Sequence, residues 1–293
     1  MGVIQDLIVV GGGFWGVASA LVASKKGMRV VVLDNRDPRG ASRNAAGIVC
    51  KHWYKQHTIT NMLPEDWTKQ EIQESVQFLD PFGLSKTGEQ FTSYAHNQEK
   101  WREDCYLIPS CSSLLSKFTT QLSQVLSVRP HQSRIEVVTR DGTLIAHKVL
   151  IAAGAFTDNL LKASQLPLCG VRALRGRAFI ATNSLEEFVP RTHMSRPYTH
   201  YTLRPWGKGH ARLGDTVEKR VEGTDEPIVG LQSVLAHMSP GAKVVRVLDG
   251  WRPVCEQFTV KRVHERIVVA TGGHRVGLGL AGLVANKCWE LLK

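Results

Sequence analysis

The residues best placed to do chemistry form a glycine-rich segment near the N-terminus, followed by a single acid. The segment Gly11–Gly16 has the spacing GxGxxG and lies between an apolar run and a helical pattern. In that setting Gly11 permits a tight turn, Gly13 lets the backbone approach a pyrophosphate, and Gly16 lets helix and strand pack closely. Asp34, which ends the second apolar run, can accept hydrogen bonds from a ribose hydroxyl. The pattern predicts a bound dinucleotide, and the acid favours NAD or FAD over the 2′-phosphorylated NADP.

The elements that must position this segment follow from the apolar periodicity. Residues 4–10 and 28–34 predict strands, and a helix is predicted from Phe14 to Lys26, with its N-terminus directed at the phosphates. Further along, the patterns predict a polar helix (64–78), a mixed, turn-rich stretch (80–106), a helix (112–126), a hairpin (134–139 and 143–148), a buried strand with a small-residue turn (149–156), antiparallel strands (172–254), a buried strand (267–274) and a final helix from about 279. This order indicates an α/β protein.

Composition excludes several protein classes. The chain has 293 residues, of which 43% are hydrophobic and 22% charged, as in ordinary globular proteins. No apolar run is long enough to span a bilayer, and residue 4 enters a strand without a preceding basic leader, so we expect a cytoplasmic protein with no membrane partner. The six cysteines form no CxxC pair. We therefore expect no metal and reduced, mostly buried thiols.

The net charge is unusual. Lys and Arg number 37 against 26 Asp and Glu, which gives +11 at neutral pH and a pI near 9.5. Basic residues stand beside aromatic ones in 51–55 (KHWYK) and 100–102 (KWR). Such neighbours can hold phosphates while stacking on a base. Contact with DNA or RNA is therefore one hypothesis, and a solvated basic surface is the other.

Five segments, in order, resemble the FAD-dependent D-amino-acid oxidase superfamily in its glycine oxidase and sarcosine oxidase branch. They are GGGFWG, GASRNAAGI (40–48), VLIAAGAFTDNLL (149–161), GWRP (250–253) and ATGGHRVGLGLA (270–281). The resemblance implies a doubly wound, Rossmann-like FAD-binding domain plus an antiparallel-sheet substrate domain. The first would comprise 1–78, 107–170 and 256–293; the second would comprise 79–106 and 171–255.

The resemblance also implies noncovalent, extended FAD and the residues that hold it. The ASRNAAG stretch would pass along the flavin, the AAGA turn would close the site, and the terminal helix would begin near the flavin ring. The implied cofactor-binding residues are Gly11, Gly13, Phe14, Trp15, Gly16, Asp34, Asn35, Arg43, Asn44, Ala45, Ala46, Gly47, Ala153, Gly154, Gly273, His274, Arg275, Val276, Gly277 and Leu278.

Catalytic roles are carried over in the same way. Arg252 would grip a substrate carboxylate bidentately; a surface or phosphate-binding arginine is the alternative. Arg275 matches a second carboxylate contact of glycine oxidases, and Tyr201 an active-site tyrosine, or else a core tyrosine. Arg212 falls where sarcosine oxidases have a lysine that assists the reaction with oxygen, and this departure puts oxygen reactivity in doubt. His52 lies near the expected flavin region.

The sequence is compatible with more than one class of substrate. The short chain, the basic charge and Arg252 favour a glycine joined through nitrogen to a modified pyrimidine in DNA or RNA. Its α-carbon would give a hydride to flavin N5, and imine hydrolysis would give glyoxylate and an aminomethyl base. The alternatives are an oxidase of free glycine, sarcosine or another small amino acid, and a redox-silent FAD-binding module. The sequence predicts no oligomeric state.

Overall fold

The computed structural model describes residues 4–50, 69–82, 85–93, 98–108, 112–182, 191–196, 199–205, 209–214, 231–236, 239–274 and 276–293. The labelled helices are α1 (Phe14–Lys25), α2 (Lys69–Gln77), α3 (Ser112–Leu115), α4 (Thr157–Ala163) and α5 (Ala281–Leu292); 3-10 turns cover Asp80–Phe82 and Gly154–Phe156. The strands are β1 (Gln5–Val10), β2 (Val30–Asp34), β3 (Ile48–Cys50), β4 (Ser85–Ser93), β5 (Gln98–Leu107), β6 (Thr120–Leu122), β7 (Val125–Pro130), β8 (Ile135–Thr139), β9 (Gly142–Ile151), β10 (Arg172–Thr182), β11 (Arg191–Arg196), β12 (Thr199–Pro205), β13 (His210–Gly214), β14 (Val244–Val254), β15 (Thr259–His264) and β16 (Ile267–Thr271). A further helical stretch covers 231–236.

The first sheet has the order β15-β16-β9-β1-β2-β6, and its five strands from β16 to β6 are parallel. Leu7 and Val9 of β1 pack into one core with α1 and α5, while Ile8 and Val10 pack into a second core with α4. Both faces of the parallel sheet are therefore covered, which explains the nearly continuous apolar sequence of its strands. This arrangement confirms the predicted doubly wound fold.

The second sheet has the order β14-β10-β13-β12-β11-β4-β5-β3. All its pairings are antiparallel except that of β11 with β4. The antiparallel strands predicted within 172–254 are confirmed. The turn-rich prediction for 80–106 is wrong, because β4 and β5 form a long hairpin there. β3 joins this sheet although it lies inside the predicted first domain, and the domain boundaries remain a prediction.

Two further predictions differ from the structure. The helix predicted over 112–126 is confined to α3, because Thr120–Leu122 pair with the edge of β2 instead. The strands predicted at 143–148 and from 149 onwards form one strand, β9, whose first part pairs with β8 and whose end lies between β1 and β16. Of the polar helix predicted over 64–78, Lys69–Gln77 is helical, and 64–68 lie outside the described residues. No helix in the described part of the chain is long and apolar enough to cross a bilayer.

Candidate active site

The turn between β1 and α1 accepts only glycine at two positions. Gly11 has a φ of +109° and donates its N–H to Leu33 O at 2.8 Å. A Cβ on Gly11 would overlap the Ala152 carbonyl oxygen, and one on Gly16 would overlap the Gly11 carbonyl oxygen. The first contact holds the turn against the end of β9, and the second brings α1 close to β1. The glycines thus allow the close packing that the sequence pattern predicts.

Asp34, at the end of β2, faces the same turn. Its Oδ2 accepts a hydrogen bond from Gly12 N at 2.5 Å, and its Oδ1 accepts from Arg36 N at 2.5 Å. Arg43 Nη2 lies 3.4 Å from Oδ1. The Asp34 carboxylate therefore holds the backbone of the glycine turn in place through Gly12. Its predicted bond to a ribose hydroxyl remains a prediction.

The segment after β2 connects the two sheets. Ser42 Oγ accepts a hydrogen bond from Phe14 N at 3.1 Å, at the N-terminus of α1. Asn44 Nδ2 donates to Pro38 O and to Asp249 O, each at 2.8 Å. The first bond closes the segment on itself, and the second joins it to β14. Residues 38–47 are therefore held across the space between the glycine turn and the second sheet.

The C-terminal glycine turn approaches from the opposite side. Trp15 Nε1 donates a hydrogen bond to Gly277 O at 2.7 Å. A Cβ on Gly273 would lie 2.8 Å from Trp15 Cζ2, so glycine is needed where the turn crosses the indole. His274 has a φ of +39° and donates its backbone N–H to Pro253 O at 3.0 Å. Val276 is 4% exposed and belongs to the apolar core, not to the cavity wall.

These segments enclose a cavity of about 660 Å³ beside the carboxyl ends of β1, β2 and β9. Such an edge is the usual ligand position in a doubly wound sheet. Most of the residues predicted to hold the cofactor line this cavity: Gly11, Gly13, Phe14, Trp15, Asp34, Asn35, Arg43, Asn44, Ala45, Ala46, Gly47, Ala153, Gly154, Gly273, His274, Gly277 and Leu278. Among the predicted residues that the structure describes, Gly16 and Val276 lie behind the wall.

The second sheet supplies the opposite wall, which we call the glycine floor: Gly176, Ala178, Gly214 and Gly250. Gly176 pairs with Gly250 across β10 and β14, and Ala178 pairs with Gly214 across β10 and β13. Because strand residues alternate between faces, all four lie on the face that meets the cavity. Their small size leaves room above the sheet for larger side chains of the same face.

Two buried arginines extend over this floor. Arg252 on β14 is 7% exposed, and Arg212 on β13 is 1% exposed. A Cβ on Gly176 would lie 2.5 Å from the Arg252 Cζ, and one on Gly214 would lie 2.9 Å from the Arg212 Nη1. Each guanidinium therefore lies directly over a glycine of the sheet. Arg212 Nη2 also donates to Asn44 O at 2.7 Å.

Of the predicted catalytic residues, the structure brings Arg252 and Arg212 together in one cavity wall. Tyr201 lies on β12, where it pairs with His193 of β11, and its side chain is not described. His52 and Arg275 lie outside the described residues. The basic-aromatic segment 51–55 is also outside them, and 100–102 lie on β5, whose side chains are not described.

The cavity wall also contains a cluster of a cation and two aromatic rings that sequence reasoning missed. The Arg39 guanidinium lies 5.1 Å from the Phe156 ring centroid and 5.8 Å from that of Trp251. The side chain of Arg39 also hydrogen-bonds Asp37, which lowers the pKa of that carboxyl. These contacts join residues from three separate segments. Periodicity carries no signal for such a cluster. Gly176 was also missed, although a glycine inside a strand can mark a close approach.

The cavity fits an extended dinucleotide. A Cβ on Gly12 would lie 2.6 Å from Asp34 Oδ2, and one on Gly13 would lie 3.0 Å from Ser42 Oγ. Because both residues are glycines, the turn presents bare backbone to the cavity. The N-terminus of α1 opens beside this turn, where a pyrophosphate is favoured. The volume falls within the usual range for ligand pockets, about 300–1,000 Å³.

Comparisons with known proteins agree with this geometry. The family model described as "FAD dependent oxidoreductase" (DAO) matches residues 6–110 and 120–288. The structure of glycine oxidase from Geobacillus kaustophilus has a TM-score of 0.77 and 18% identity, over 98% of this chain and 94% of that one. L-proline dehydrogenase from P. horikoshii has a TM-score of 0.78 and 15% identity, over 100% and 94%. These structural likenesses show a shared fold.

A relative by sequence is N-methyl-L-tryptophan oxidase of Yersinia pestis, which is 24% identical over 215 residues. The matched region is 57% of this chain and 57% of that relative. The chain thus spans little more than half the length of the curated relatives that it matches.

Proposed function

Because this chain belongs to the DAO family of FAD-dependent oxidoreductases, we propose that it oxidises the carbon–nitrogen bond of a small amino-acid-like substrate. The family's cofactor is FAD. The observation that carries the proposal is the position of Arg252, a buried cation in the wall of the cavity that the dinucleotide motif also lines. A buried guanidinium beside a cofactor site is well suited to bind a carboxylate.

The chain's own residues perform three tasks in this reaction. Arg252 binds the substrate carboxylate through two parallel hydrogen bonds and so fixes the α-carbon in one place. The small residues of the glycine floor leave room for the Arg252 guanidinium to lie flat on the sheet beside that carbon. Because Arg252 is only 7% exposed, its pairing with a carboxylate takes place largely out of contact with bulk water. FAD, when bound, supplies the two-electron acceptor for the substrate's α-carbon hydride.

Arg212 has a different role in the proposal. Arg212 offers a planar set of N–H donors and a positive charge where sarcosine oxidases have a lysine. Its bond to Asn44 O holds it beside the segment that lines the cavity. We therefore assign it a fixed positive charge near the cofactor. Tyr201 and Arg275 remain proposed substrate contacts, and His52 a proposed residue of the flavin region.

Free glycine, sarcosine or another small amino acid is the substrate class that the comparisons support best. The relatives and structural neighbours named above are described as acting on glycine, L-proline and N-methyl-L-tryptophan. All three carry a carboxylate on the carbon that bears the nitrogen. That shared unit is what Arg252 would recognise.

A second candidate is an N-linked glycine on a modified pyrimidine of DNA or RNA. The net charge of +11 favours it, since such an excess attracts polyanions. The reacting unit would be the same N-substituted glycine, with glyoxylate and an aminomethyl base as products. Among the described residues, no observed contact supports this second candidate over the first.

The test is to mix the purified protein, under anaerobic conditions, with glycine, sarcosine, N-methyl-L-tryptophan and an oligonucleotide that bears a glycine-substituted aminomethyl pyrimidine. Bleaching of the visible flavin absorption by a free amino acid would support the first candidate. Bleaching by the oligonucleotide alone, with a rate that falls steeply with salt, would support the second. An oxidised flavin that none of the four reduces would reject the oxidation of glycine, of these N-methylated amino acids and of the glycine-modified pyrimidine.

A further inference from the structure

We propose that Gly176 is a positioning residue that holds the Arg252 guanidinium flat and aims it into the cavity. This inference rests on the proposed function of Arg252 as the carboxylate clamp. Gly176 lies on β10, and Arg252 lies on the adjacent strand β14, opposite Leu174. The arginine side chain therefore runs diagonally across β10, from the level of Leu174 to that of Gly176.

The contact between the two residues is specific. The three atoms nearest to a Cβ built on Gly176 are Cζ, Nη2 and Nη1 of Arg252, at 2.5, 2.5 and 2.7 Å. Every nearest neighbour of that position thus belongs to one guanidinium. The group lies against the glycine backbone, and any side chain at 176 would have to displace it.

Orientation matters because a guanidinium is planar. Bidentate binding requires its edge, with two N–H groups, to face both oxygens of a carboxylate. A flat backbone surface beneath the plane restricts rotation out of it. An added methyl group would tilt or shift the plane by about an ångström, which lengthens and misaligns both hydrogen bonds to the carboxylate.

The sheet also provides a matched control. Gly250 is the residue directly opposite Gly176 and lines the same cavity. A Cβ there would lie 3.5 Å from Asn44 Cβ and 3.6 Å from Ala41 Cα, which are ordinary contacts, and its three nearest atoms include none of Arg252. Gly250→Ala therefore adds the same methyl group to the same floor without touching the guanidinium.

The experiment is a pair of double-mutant cycles with sarcosine as the substrate, or whichever free amino acid the panel identifies. Gly176→Ala should raise KM by about tenfold or more in the wild-type background, the effect of losing about one hydrogen bond to a charged group. In the Arg252→Ala background it should change KM by less than about twofold, because the group that it displaces is absent. Gly250→Ala and Arg252→Ala should combine additively, within about twofold.

The outcomes separate the two claims. If Arg252→Ala leaves KM unchanged, the proposed clamp fails, and the role of Gly176 fails with it. If Arg252→Ala raises KM but Gly176→Ala has the same effect in both backgrounds, the clamp stands and the positioning role is overturned. If Gly176→Ala does not fold, the double variant decides: it should regain folding and FAD because the obstructing guanidinium is gone, and its failure to do so would overturn the inference.

Discussion

Replacement of Gly11 by alanine should greatly weaken the binding of FAD, so that the purified protein contains little of it. Two costs arise at this position. A backbone φ of +109° is sparsely populated by L-residues and costs about 1–3 kcal/mol. The new Cβ would also overlap the Ala152 carbonyl oxygen, so the turn must move away from β9. The backbone N–H groups near Gly13, which would approach a bound pyrophosphate, move with it.

The size of the effect can be worked out from those amides. Loss of two hydrogen bonds to a charged group costs about 1.5–3 kcal/mol each. A total of about 3–6 kcal/mol weakens FAD binding by roughly 10²- to 10⁴-fold. The assay is the flavin absorbance per protein after purification, followed by titration of the apoprotein with FAD.

Gly27→Ala provides the matched control. Gly27 has a φ of +90°, and nothing lies within 4 Å of its Cβ position. This variant meets the same backbone strain, without the overlap, at the far end of α1. We expect it to lower Tm by a few degrees and to keep its FAD. If Gly11→Ala bound FAD as tightly as Gly27→Ala, the packing argument for the glycine turn would be refuted.

Three other perturbations have defined outcomes. Arg252→Ala should lower kcat/KM for a carboxylate substrate by at least about 30-fold, since truncation of one partner of a buried charge pair costs about 2 kcal/mol or more. The flavin absorbance per protein should stay normal in this variant. Trp15→Phe removes the donor to Gly277 O and should cost about 1–3 kcal/mol, seen as a lower Tm and a weaker FAD Kd. The side-chain hydrogen bond from Arg29 lowers the pKa of Asp6 to about 2, so this pair stabilises the fold above pH 3.8 and loses its effect as pH falls through 2. Asp6→Asn should therefore lower Tm at pH 5 more than at pH 2, and an equal change at both values would count against the ion pair.

The first βαβ unit could be predicted from sequence almost to the residue. The helix predicted from Phe14 to Lys26 is observed as Phe14–Lys25, and the strand predicted over 4–10 as Gln5–Val10. The reason is that local signals coincide there: apolar runs, a glycine turn and a helix end beside Gly27. Each local preference agrees with the global fold.

Elements whose structure depends on distant partners could not be predicted in the same way. Leu114, Phe118 and Leu122 have helical spacing, yet Thr120–Leu122 form a strand because the edge of β2 offers backbone partners. The segment 85–93 is polar and lacks clear alternation, but it pairs with both β5 and β11. Long-range pairing of this kind overrides local propensity.

The candidate site shows the same division. The glycine turn and Asp34 follow from spacing within one βαβ unit, whereas Arg252 came from a resemblance to a family motif. The relation of Arg252 to Gly176 depends on the register between β14 and β10, which joins residues far apart in the chain. No periodicity in the sequence reports that register.

The central claim is that Arg252 holds a substrate carboxylate beside FAD. The most direct measurement is the anaerobic rate of flavin reduction in wild type and in Arg252→Ala, with sarcosine and with dimethylamine, which is the same amine without the carboxylate. The account predicts that wild type strongly prefers sarcosine and that the variant loses most of that preference while it retains FAD. An undiminished preference for sarcosine in the variant would contradict the account.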